Sequence, residues 1–244
     1  MKNVSVVGAG TMGNGIAQVF AQSGYDITMI DISEDFLSRG MATIDKSLDR
    51  MVKKEKITAD QKSEIAGHIQ TTTDVGAVKN SQLIIEAIVE DAEIKKQVWK
   101  ELSISVPDNA ILASNTSSIS ITELAAVVDS PNRYIGMHFM NPVPMMKLVE
   151  IIRGLETDDE TTAVVAATCE KLGKVPVEVN DYPGFVANRI LMPMINEAAY
   201  CLMEGVATRE SIDQVMKLGM AHPMGPLELA DLIGLDVCLS IMEV

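Results

Sequence analysis

Residues 2–20 read KNVSVVGAGTMGNGIAQVF, and the prediction of the fold starts from this segment. A short β-rich run enters a glycine loop, and a helical pattern follows. The loop consists of Gly8, Ala9, Gly10, Thr11, Met12 and Gly13. Gly8 permits a tight turn, Gly10 the close approach of a pyrophosphate, and Gly13 the packing of helix on strand. We therefore expect this loop to hold the phosphates of a dinucleotide at the N-terminus of the following helix.

A carboxylate stands where a dinucleotide would need one. A second β-like run, residues 26–30, ends at Asp31, which follows Gly13 by 18 residues. A carboxylate at this place accepts hydrogen bonds from the adenosine ribose and repels a 2′-phosphate. Asp31 therefore favours NAD, with NADP as the alternative that related pockets accept. The plain structural interpretation, a helix cap or a solvated loop residue, is disfavoured by the glycine loop upstream.

Strand and helix patterns keep alternating after Asp31. Further strands are predicted at 69–71, 83–86, 110–113, 134–138, 148–152 and 175–179, and helices at 33–52, 58–66, 91–103 and 159–172. Alternation of this kind predicts an α/β fold in which helices cover a Rossmann-type, doubly wound, mostly parallel sheet.

The pattern changes at Asp181-Tyr-Pro-Gly184 and is helical downstream, with helices expected at 185–204, 209–218 and from 226 onward. We expect a dinucleotide-binding domain of residues 1–183 and a smaller all-helical domain of residues 184–244. A domain of about 60 residues is near the lower limit for independent folding, so we expect it to need a partner surface. Because residue 244 falls inside an apolar run, we also expect a C-terminal tail beyond it.

The composition excludes several classes of protein. A net charge of −14 argues against nucleic acid as the main partner. No apolar run approaches the roughly 20 residues of a membrane span, and we expect neither a signal peptide nor a membrane partner. The three cysteines show no spacing typical of a metal or redox motif, so we predict no metal site and a cytoplasmic protein.

Polar residues follow the strand predicted at 110–113, in the order Ser114-Asn-Thr-Ser-Ser118. Ligands of open α/β sheets lie beyond the carboxyl ends of the strands. Helix capping is the plain interpretation of such a run. However, Ser120-Ile-Thr-Glu123 already has the pattern of a capping box, which leaves Ser117 without that task. We therefore favour ligand binding for Ser117.

A charged residue interrupts an otherwise apolar strand at Glu150, within Leu148-Val-Glu-Ile-Ile152. Burying a carboxylate is costly unless it is paired. If the strands predicted at 134–138 and 148–152 are neighbours, the partner is His138. A carboxylate that accepts from one imidazole nitrogen fixes the tautomer and leaves the other nitrogen to exchange a proton with a substrate. The alternative is an ion pair that only holds two strands together.

Five motifs together resemble the L-3-hydroxyacyl-CoA dehydrogenase family, and within it the bacterial 3-hydroxybutyryl-CoA dehydrogenases. They are Gly8-Ala-Gly-Thr-Met-Gly13, Ala113-Ser-Asn-Thr-Ser-Ser118, His138-Phe-Met-Asn-Pro142, Met146-Lys-Leu-Val-Glu150 and Pro183-Gly-Phe-Val-Ala-Asn-Arg189. The resemblance covers the whole chain in order. It implies a Rossmann domain, a helical dimerisation domain in a homodimer, and reversible NAD-linked oxidation of an acyl-CoA thioester.

The resemblance also implies roles for individual residues. His138 and Glu150 match the catalytic pair, and Ser117 matches the serine that binds the reacting oxygen. Asn188 matches an asparagine that orients the histidine and the substrate. The remaining matches are cofactor contacts: Glu90 and Lys95 near the nicotinamide ribose, and Asn141.

An acyl-CoA substrate carries an adenosine phosphate, which needs cations. Lys53, Lys54 and Lys56 form the densest basic cluster of this acidic chain. We expect Lys53 and Lys54 to bind the substrate, with Lys54 the stronger candidate. The alternative is that this KKEK run is only a solvated helix end.

Two departures and two rival functions stay open. Met140 replaces the second phenylalanine that the family usually has after the histidine, and the family's Gly- and aromatic-rich C-terminal tail is absent from the sequence. One rival is a Rossmann dehydrogenase of the 6-phosphogluconate or 3-hydroxyisobutyrate type, which uses a catalytic lysine. The other is a non-catalytic binding or structural protein on the same fold. The spacing of His138 and Glu150 disfavours the first rival, and the combination of Ser117, His138, Glu150 and Asn188 disfavours the second.

Overall fold

The protein divides into two compact units, Met1–Asp181 and Tyr182–Val244. This is seen in a computed structural model that describes residues 1–243. None of the helices within these residues is long and apolar enough to cross a membrane.

The first unit is built on one eight-stranded sheet. Its strands are β1 (Asn3–Val7), β2 (Asp26–Ile30), β3 (Ile69–Thr72), β4 (Leu83–Glu86), β5 (Ile111–Ser114), β6 (Tyr134–Phe139), β7 (Leu148–Arg153) and β8 (Val175–Asn180). Their order across the sheet is β3-β2-β1-β4-β5-β6-β7-β8. All neighbours are parallel except β6 and β7. The prediction of a doubly wound, mostly parallel sheet is confirmed.

Six α-helices connect the strands: α1 (Thr11–Gln22), α2 (Glu34–Lys53), α3 (Ala59–Gly67), α4 (Ala92–Ser103), α5 (Ile121–Ala125) and α6 (Asp159–Lys171). Short polar residues set several of their starts. Ser33, Asp91 and Asp158 cap α2, α4 and α6 through their side chains, and Thr58 forms a capping box with Gln61 at α3. Two 3-10 turns, Val75–Asn80 and Pro131–Arg133, were not predicted.

The core of the first unit lies between the sheet and its helices. Strand residues such as Val6 and Ile85 pack with Ile16 and Phe20 of α1, all fully buried. Each such side chain contributes about 1.5–3 kcal/mol through removal of apolar surface from water. This core makes the central strands rigid and fixes the positions of the loops at their carboxyl ends.

The second unit contains α7 (Ala187–Met203), α8 (Arg209–Gly219), α9 (Pro226–Ile233) and α10 (Leu235–Met242). The segment predicted from 226 onward is two helices, because Gly234 separates them with φ +102°. The buried carboxylate of Asp213 accepts hydrogen bonds from the amides of Leu227 and Glu228 and thereby holds the start of α9. A small cluster of Met192, Ile195, Ala230 and Cys238 forms the core.

Candidate active site

The glycine loop has the geometry of a dinucleotide site. Gly8 has φ +105°, and a Cβ there would lie 2.5 Å from the carbonyl oxygen of Ala87. A Cβ on Gly13 would lie 1.9 Å from the carbonyl oxygen of Gly8, so α1 packs against the loop without space for a side chain. A Cβ on Gly10, in contrast, would meet no atom within 4 Å among the described residues beyond its chain neighbours. The loop therefore has no space for side chains at Gly8 and Gly13, where it packs against other backbone atoms. It is open at Gly10, where a pyrophosphate would approach the helix N-terminus.

Asp31 lies at the carboxyl end of β2 and faces the glycine loop. Its Oδ2 accepts the amide of Ala9 at 2.7 Å, and its Oδ1 accepts the amide of Ile32 at 2.7 Å. These bonds hold the carboxylate beside the loop, where its remaining lone pairs suit the hydroxyls of a ribose. The predicted position of Asp31 is confirmed, and its contact with the cofactor stays a prediction.

A network of carboxylates and hydroxyls occupies the ends of β4 and β5. Oε1 of Glu90 accepts the Thr116 hydroxyl at 2.6 Å, the Ser117 amide at 2.6 Å and the Ser117 hydroxyl at 3.1 Å. The Lys95 ammonium lies 3.3 Å from Oε2 of Glu90. Burial raises the pKa of Glu90, but Lys95, Thr116 and the Ser117 amide outweigh it, so the pKa lies below its usual value. Glu90 is therefore an anion that organises the loop of Ser117.

Lys95 is placed more deeply than the resemblance implied. Its side chain is 1% exposed, and its ammonium donates to Glu86 at 2.5 Å. Glu86, the last residue of β4, was not singled out from the sequence. Glu150 was singled out because a charged residue interrupts an apolar strand. The same pattern could have singled out Glu86, which is the one charged residue of the strand Leu83-Ile-Ile-Glu86.

His138 and Glu150 are directly opposed in the register of β6 and β7. Nδ1 of His138 lies 2.8 Å from Oε2 of Glu150, and the two residues are 8% and 2% exposed. An ionised carboxylate only accepts hydrogen bonds, so this contact places a proton on Nδ1. The predicted pairing of the two side chains is confirmed, and its catalytic role stays a prediction.

Asn115 makes further hydrogen bonds between β4, β5 and β6 at this edge of the sheet. Its Oδ1 accepts the amide of Phe139 at 2.9 Å, and its own amide donates to the carbonyl of Glu86. No separate role was predicted for Asn115. It extends the contact of β5 and β6 beyond their last paired residues and so helps to hold His138.

The predicted capping box at α5 is only half right. The Ser120 hydroxyl accepts the amide of Glu123, but the Glu123 side chain bonds to Lys96 instead of returning to the cap. Asp181 takes the place of the box, since it accepts the Ser120 hydroxyl and the amides of residues 121 and 122. This contact lies 61 residues away in sequence and was therefore hidden from a local pattern.

A pocket of about 340 Å³ lies between α1, the C-terminal half of α2 and the loop that starts at Asn141. Its cations are Arg50, Lys54 and Lys56, whereas Lys53 is not among the lining residues. Lys54 thus lines the pocket, while its contact with an anion stays a prediction, and Arg50 was not singled out from the sequence. The nearby Lys174 is buried and fixes the loop by donating to the carbonyls of Val143 and Met146.

Asn188 lies in the first turn of α7, in the second unit. No group of three or more His, Cys, Asp or Glu side chains with metal-binding geometry occurs among residues 1–243.

Comparison with protein families supplies the decisive observation. Residues 3–182 match the NAD-binding domain of 3-hydroxyacyl-CoA dehydrogenase, and residues 184–244 match the C-terminal domain of the same enzyme. The chain belongs to the 3-hydroxyacyl-CoA dehydrogenase family. It is therefore an oxidoreductase of 3-hydroxyacyl-CoA thioesters with NAD as its cofactor.

Several relatives are similar over nearly the whole chain. A probable 3-hydroxybutyryl-CoA dehydrogenase of Deinococcus radiodurans is 57% identical over 98% of this chain and 86% of its own length. The 3-hydroxybutyryl-CoA dehydrogenase of Bradyrhizobium diazoefficiens is 52% identical over 100% of this chain and 83% of its own. The crystal structure of (S)-3-hydroxybutyryl-CoA dehydrogenase from Ralstonia eutropha superposes with a TM-score of 0.97 at 52% identity, covering 100% of this chain and 86% of that one.

Proposed function

We propose that this dehydrogenase interconverts (S)-3-hydroxybutyryl-CoA and acetoacetyl-CoA by acid–base catalysis at His138, assisted by Glu150. One observation carries the proposal: the buried imidazole of His138 and the buried carboxylate of Glu150 lie 2.8 Å apart. Their strands, β6 and β7, belong to the same sheet as β1, which leads into the glycine loop. The similarity to enzymes named 3-hydroxybutyryl-CoA dehydrogenase supports the choice of substrate.

When bound, NAD supplies the acceptor for a hydride from C3 of the substrate. In the oxidation, Nε2 of neutral His138 takes the proton of the 3-hydroxyl group, and Glu150 stabilises the resulting imidazolium across the contact to Nδ1. In the reduction, the imidazolium returns the proton to the oxygen at C3. Acid–base help of this kind contributes roughly a hundred- to ten-thousand-fold in rate.

Ser117 and Asn188 complete the proposed site. In the structure the single proton of the Ser117 hydroxyl goes to Glu90. In the proposed site the hydroxyl turns to the substrate and donates to the oxygen at C3 as negative charge develops on it, and a donor of this kind contributes about 2.7–4 kcal/mol. The resemblance to the family assigns Asn188 the task of orienting the histidine and the substrate. Glu90 and Lys95 are assigned to the nicotinamide ribose, with Lys95 acting through the Glu90 carboxylate that it contacts. Asn141 is assigned to another contact with the cofactor.

The pocket beside α1 is proposed to receive the CoA part of the substrate. Its lining combines the cations Arg50, Lys54 and Lys56 with apolar surface from Met51, Val143 and Met145. The cations suit the adenosine phosphate, and the apolar surface suits the pantetheine arm. Lys53 stays a weaker candidate because it lies outside this lining.

We propose residues 1–183 as the NAD-binding domain and residues 184–244 as a helical domain for substrate contacts and dimerisation. The second unit exposes many large apolar side chains on its helices, including Ile190, Met203, Leu218, Leu232 and Leu235. Patches of this kind mark interaction surfaces. The proposed occupant is a second copy of the chain, and sedimentation velocity tests this: a monomer at micromolar concentration would refute it.

The test of function is NADH oxidation with acetoacetyl-CoA. We expect turnover with acetoacetyl-CoA, none with free 3-oxo acids, and a lower kcat/KM for a ten-carbon 3-ketoacyl-CoA. His138→Gln is the matched control, since it preserves the approximate volume and removes the base. A clear preference for the ten-carbon thioester would refute the short-chain assignment, and turnover of free acids would favour the lysine-dependent dehydrogenases instead.

A further inference from the structure

Glu86 and Lys95 form a buried ion pair. Glu86 is 0% exposed at the end of the otherwise apolar strand β4, and Lys95 on α4 is 1% exposed. Desolvating two charges costs free energy that a well-packed apolar pair would avoid. Stability alone therefore does not account for these two residues. Their hydrogen bonds connect them to the loop that carries Ser117.

A first path of contacts runs from Glu86 to Ser117 through Lys95. The Lys95 ammonium, bound to Oε1 of Glu86, also lies 3.3 Å from Oε2 of Glu90. The opposite oxygen of Glu90 accepts both the amide and the hydroxyl of Ser117. Lys95 thus fixes the carboxylate that holds Ser117. Glu86 further accepts the amide of Ile88 at 2.9 Å, which anchors the loop that carries Glu90.

A second path reaches the same serine along the neighbouring strand. Oε2 of Glu86 accepts the hydroxyl of Ser114 at 2.7 Å. The Ser114 oxygen in turn accepts the amide of Thr116 at 3.2 Å, one residue before Ser117. The two oxygens of one carboxylate therefore restrain the two loops that meet at Ser117.

We propose that Glu86 is a positioning residue that fixes the backbone of Ser117, so that its hydroxyl is in place for its task at the reacting oxygen. The inference rests on the proposed function, because that function gives Ser117 its task. Glu86 itself touches no reacting atom. It acts by holding the Lys95 ammonium in place and by restraining the loops after β4 and β5.

The experiment is a double-mutant cycle between Glu86 and Ser117. Glu86→Gln and Ser117→Ala are made singly and together, and kcat is measured for acetoacetyl-CoA at saturating NADH. Because Glu86→Gln removes a carboxylate that pairs with the buried Lys95 ammonium and leaves the contact with Glu90, Glu86→Gln/Lys95→Gln serves as a neutral variant without the buried ammonium. Hydrogen exchange of the peptide covering residues 114–118 is measured on the same preparations and does not depend on turnover.

We expect Glu86→Gln to lower kcat about tenfold or more in the wild-type background and less than about threefold in the Ser117→Ala background, because residues that act as a unit are not additive. The neutral variant Glu86→Gln/Lys95→Gln should lower kcat in the same way as Glu86→Gln. The amides of residues 114–118 should exchange faster in both of these variants than in wild type. Equal losses in the two backgrounds, or kcat per folded molecule within about threefold of wild type, would overturn the proposal.

A failure of the proposed function looks different. The wild-type enzyme would then not oxidise NADH with acetoacetyl-CoA, and the exchange measurement would decide about Glu86. Faster exchange at residues 114–118 in Glu86→Gln supports the positioning role, whereas unchanged exchange there refutes it.

Discussion

Nδ1 of His138 lies 2.8 Å from Oε2 of Glu150 because the two residues are directly opposed on the antiparallel strands β6 and β7. Side chains of opposed residues project from the same face of a sheet with their Cβ atoms about 4.5–5.5 Å apart. The contact is therefore fixed by backbone register rather than by a flexible loop. A pair held in this way is suited to keep one imidazole tautomer throughout a catalytic cycle.

Glu150→Gln tests what the charge of this pair contributes. The amide retains the shape and one hydrogen bond but no longer stabilises the imidazolium that the oxidation creates. We expect kcat for oxidation to fall about a hundred- to ten-thousand-fold, while the NADH dissociation constant barely changes. Stopped-flow measurement of hydride transfer and fluorescence titration of NADH give the two quantities.

The control for Glu150 is the histidine itself. His138→Gln should be about as damaging, and the double variant little worse than either single one, because the two side chains act as a unit. A purely structural pair predicts a lower melting temperature with turnover per folded molecule intact. A well-folded Glu150→Gln enzyme with near-wild-type hydride transfer would refute the catalytic role.

Lys53 and Lys54 are adjacent in sequence, but only Lys54 lines the pocket beside α1. If Lys54 contacts the adenosine phosphate, Lys54→Ala should raise KM for acetoacetyl-CoA about fivefold, the effect of a partly exposed ion pair. Lys53→Ala, the matched control, should change KM less than about twofold.

A thioester of 3′-dephospho-CoA checks the site of this contact. With that substrate, the KM values of wild type and Lys54→Ala should converge, because the phosphate that distinguishes them is gone. Equal KM increases for Lys53→Ala and Lys54→Ala with acetoacetyl-CoA would contradict the selective role of Lys54.

Gly13 offers a test of the glycine loop that does not depend on activity. A Cβ at this position would lie 1.9 Å from the carbonyl oxygen of Gly8, which is backbone and moves only with the loop. We expect Gly13→Ala to lower the free energy of unfolding by about 1–3 kcal/mol and to weaken NADH binding. Denaturant titration and NADH fluorescence measure both effects.

Gly67 provides the matched control for Gly13. It is the last residue of α3, and no described atom beyond its chain neighbours and its own helix backbone lies within 4 Å of its Cβ position. Gly67→Ala should therefore be neutral or stabilise by up to about 1 kcal/mol through helix propensity. Similar destabilisation by both substitutions would show that the close contact of Gly13 is not what matters.

Periodicity and glycine spacing predict the sheet of the first unit well, because each strand has a strong local pattern. Even the contact between His138 and Glu150 follows from local signals, since a carboxylate in an apolar strand needs a partner nearby in the topology. By contrast, the cap that Asp181 places on α5 joins residues about 60 positions apart. Distances in sequence of that size leave no local signature.

The cluster around Glu86 shows a second limit of sequence reasoning. From the sequence, Lys95 matches a position that contacts the cofactor in the family. Its burial against Glu86 becomes visible only when β4 and α4 are placed together. Likewise, only the folded structure shows that Lys54 lines the pocket and that Lys53 does not. Residue type predicts the chemistry that a segment can perform. The packing shows which of two residues of the same type is in a position to perform it.

The pKa of Glu90 leads to a prediction about acid stability. Burial raises this pKa, but Lys95, Thr116 and the Ser117 amide lower it below its ordinary value of 4.5. A group whose pKa is depressed by folding contributes stability above its unfolded pKa and loses it as the pH falls through the folded pKa. The melting temperature of wild type should therefore approach that of Glu90→Gln as the pH falls below the ordinary pKa of 4.5.

Glu93 is the control for that titration. Its side chain is 85% exposed and pairs with Lys96 at the surface, where solvent screens the interaction. The difference in melting temperature between wild type and Glu93→Gln should stay small over the same pH range. A difference for Glu90→Gln that does not narrow on acidification would contradict the proposed anionic role of Glu90.

We expect Asp31 to determine the choice between NAD and NADP in the proposed site. Its two oxygens accept the amides of Ala9 and Ile32, each at 2.7 Å, so the carboxylate faces the glycine loop in a fixed orientation. Asp31→Asn retains the shape but removes the charge that repels a 2′-phosphate, and Asp31→Ala removes both. Because hydrogen bonds to charged groups contribute about 1.5–3 kcal/mol, we expect Asp31→Ala to weaken NADH binding roughly ten- to hundredfold.

The two Asp31 variants separate hydrogen bonding from charge. With Asp31→Asn, the ratio of kcat/KM for NADPH to that for NADH should rise, chiefly because the repulsion of the 2′-phosphate is lost. With Asp31→Ala, the ratio should rise as well, but mainly because the value for NADH falls. Steady-state kinetics with both cofactors on all three proteins measures these ratios. If the wild-type enzyme prefers NADPH by about tenfold or more, Asp31 does not select the cofactor in the proposed way.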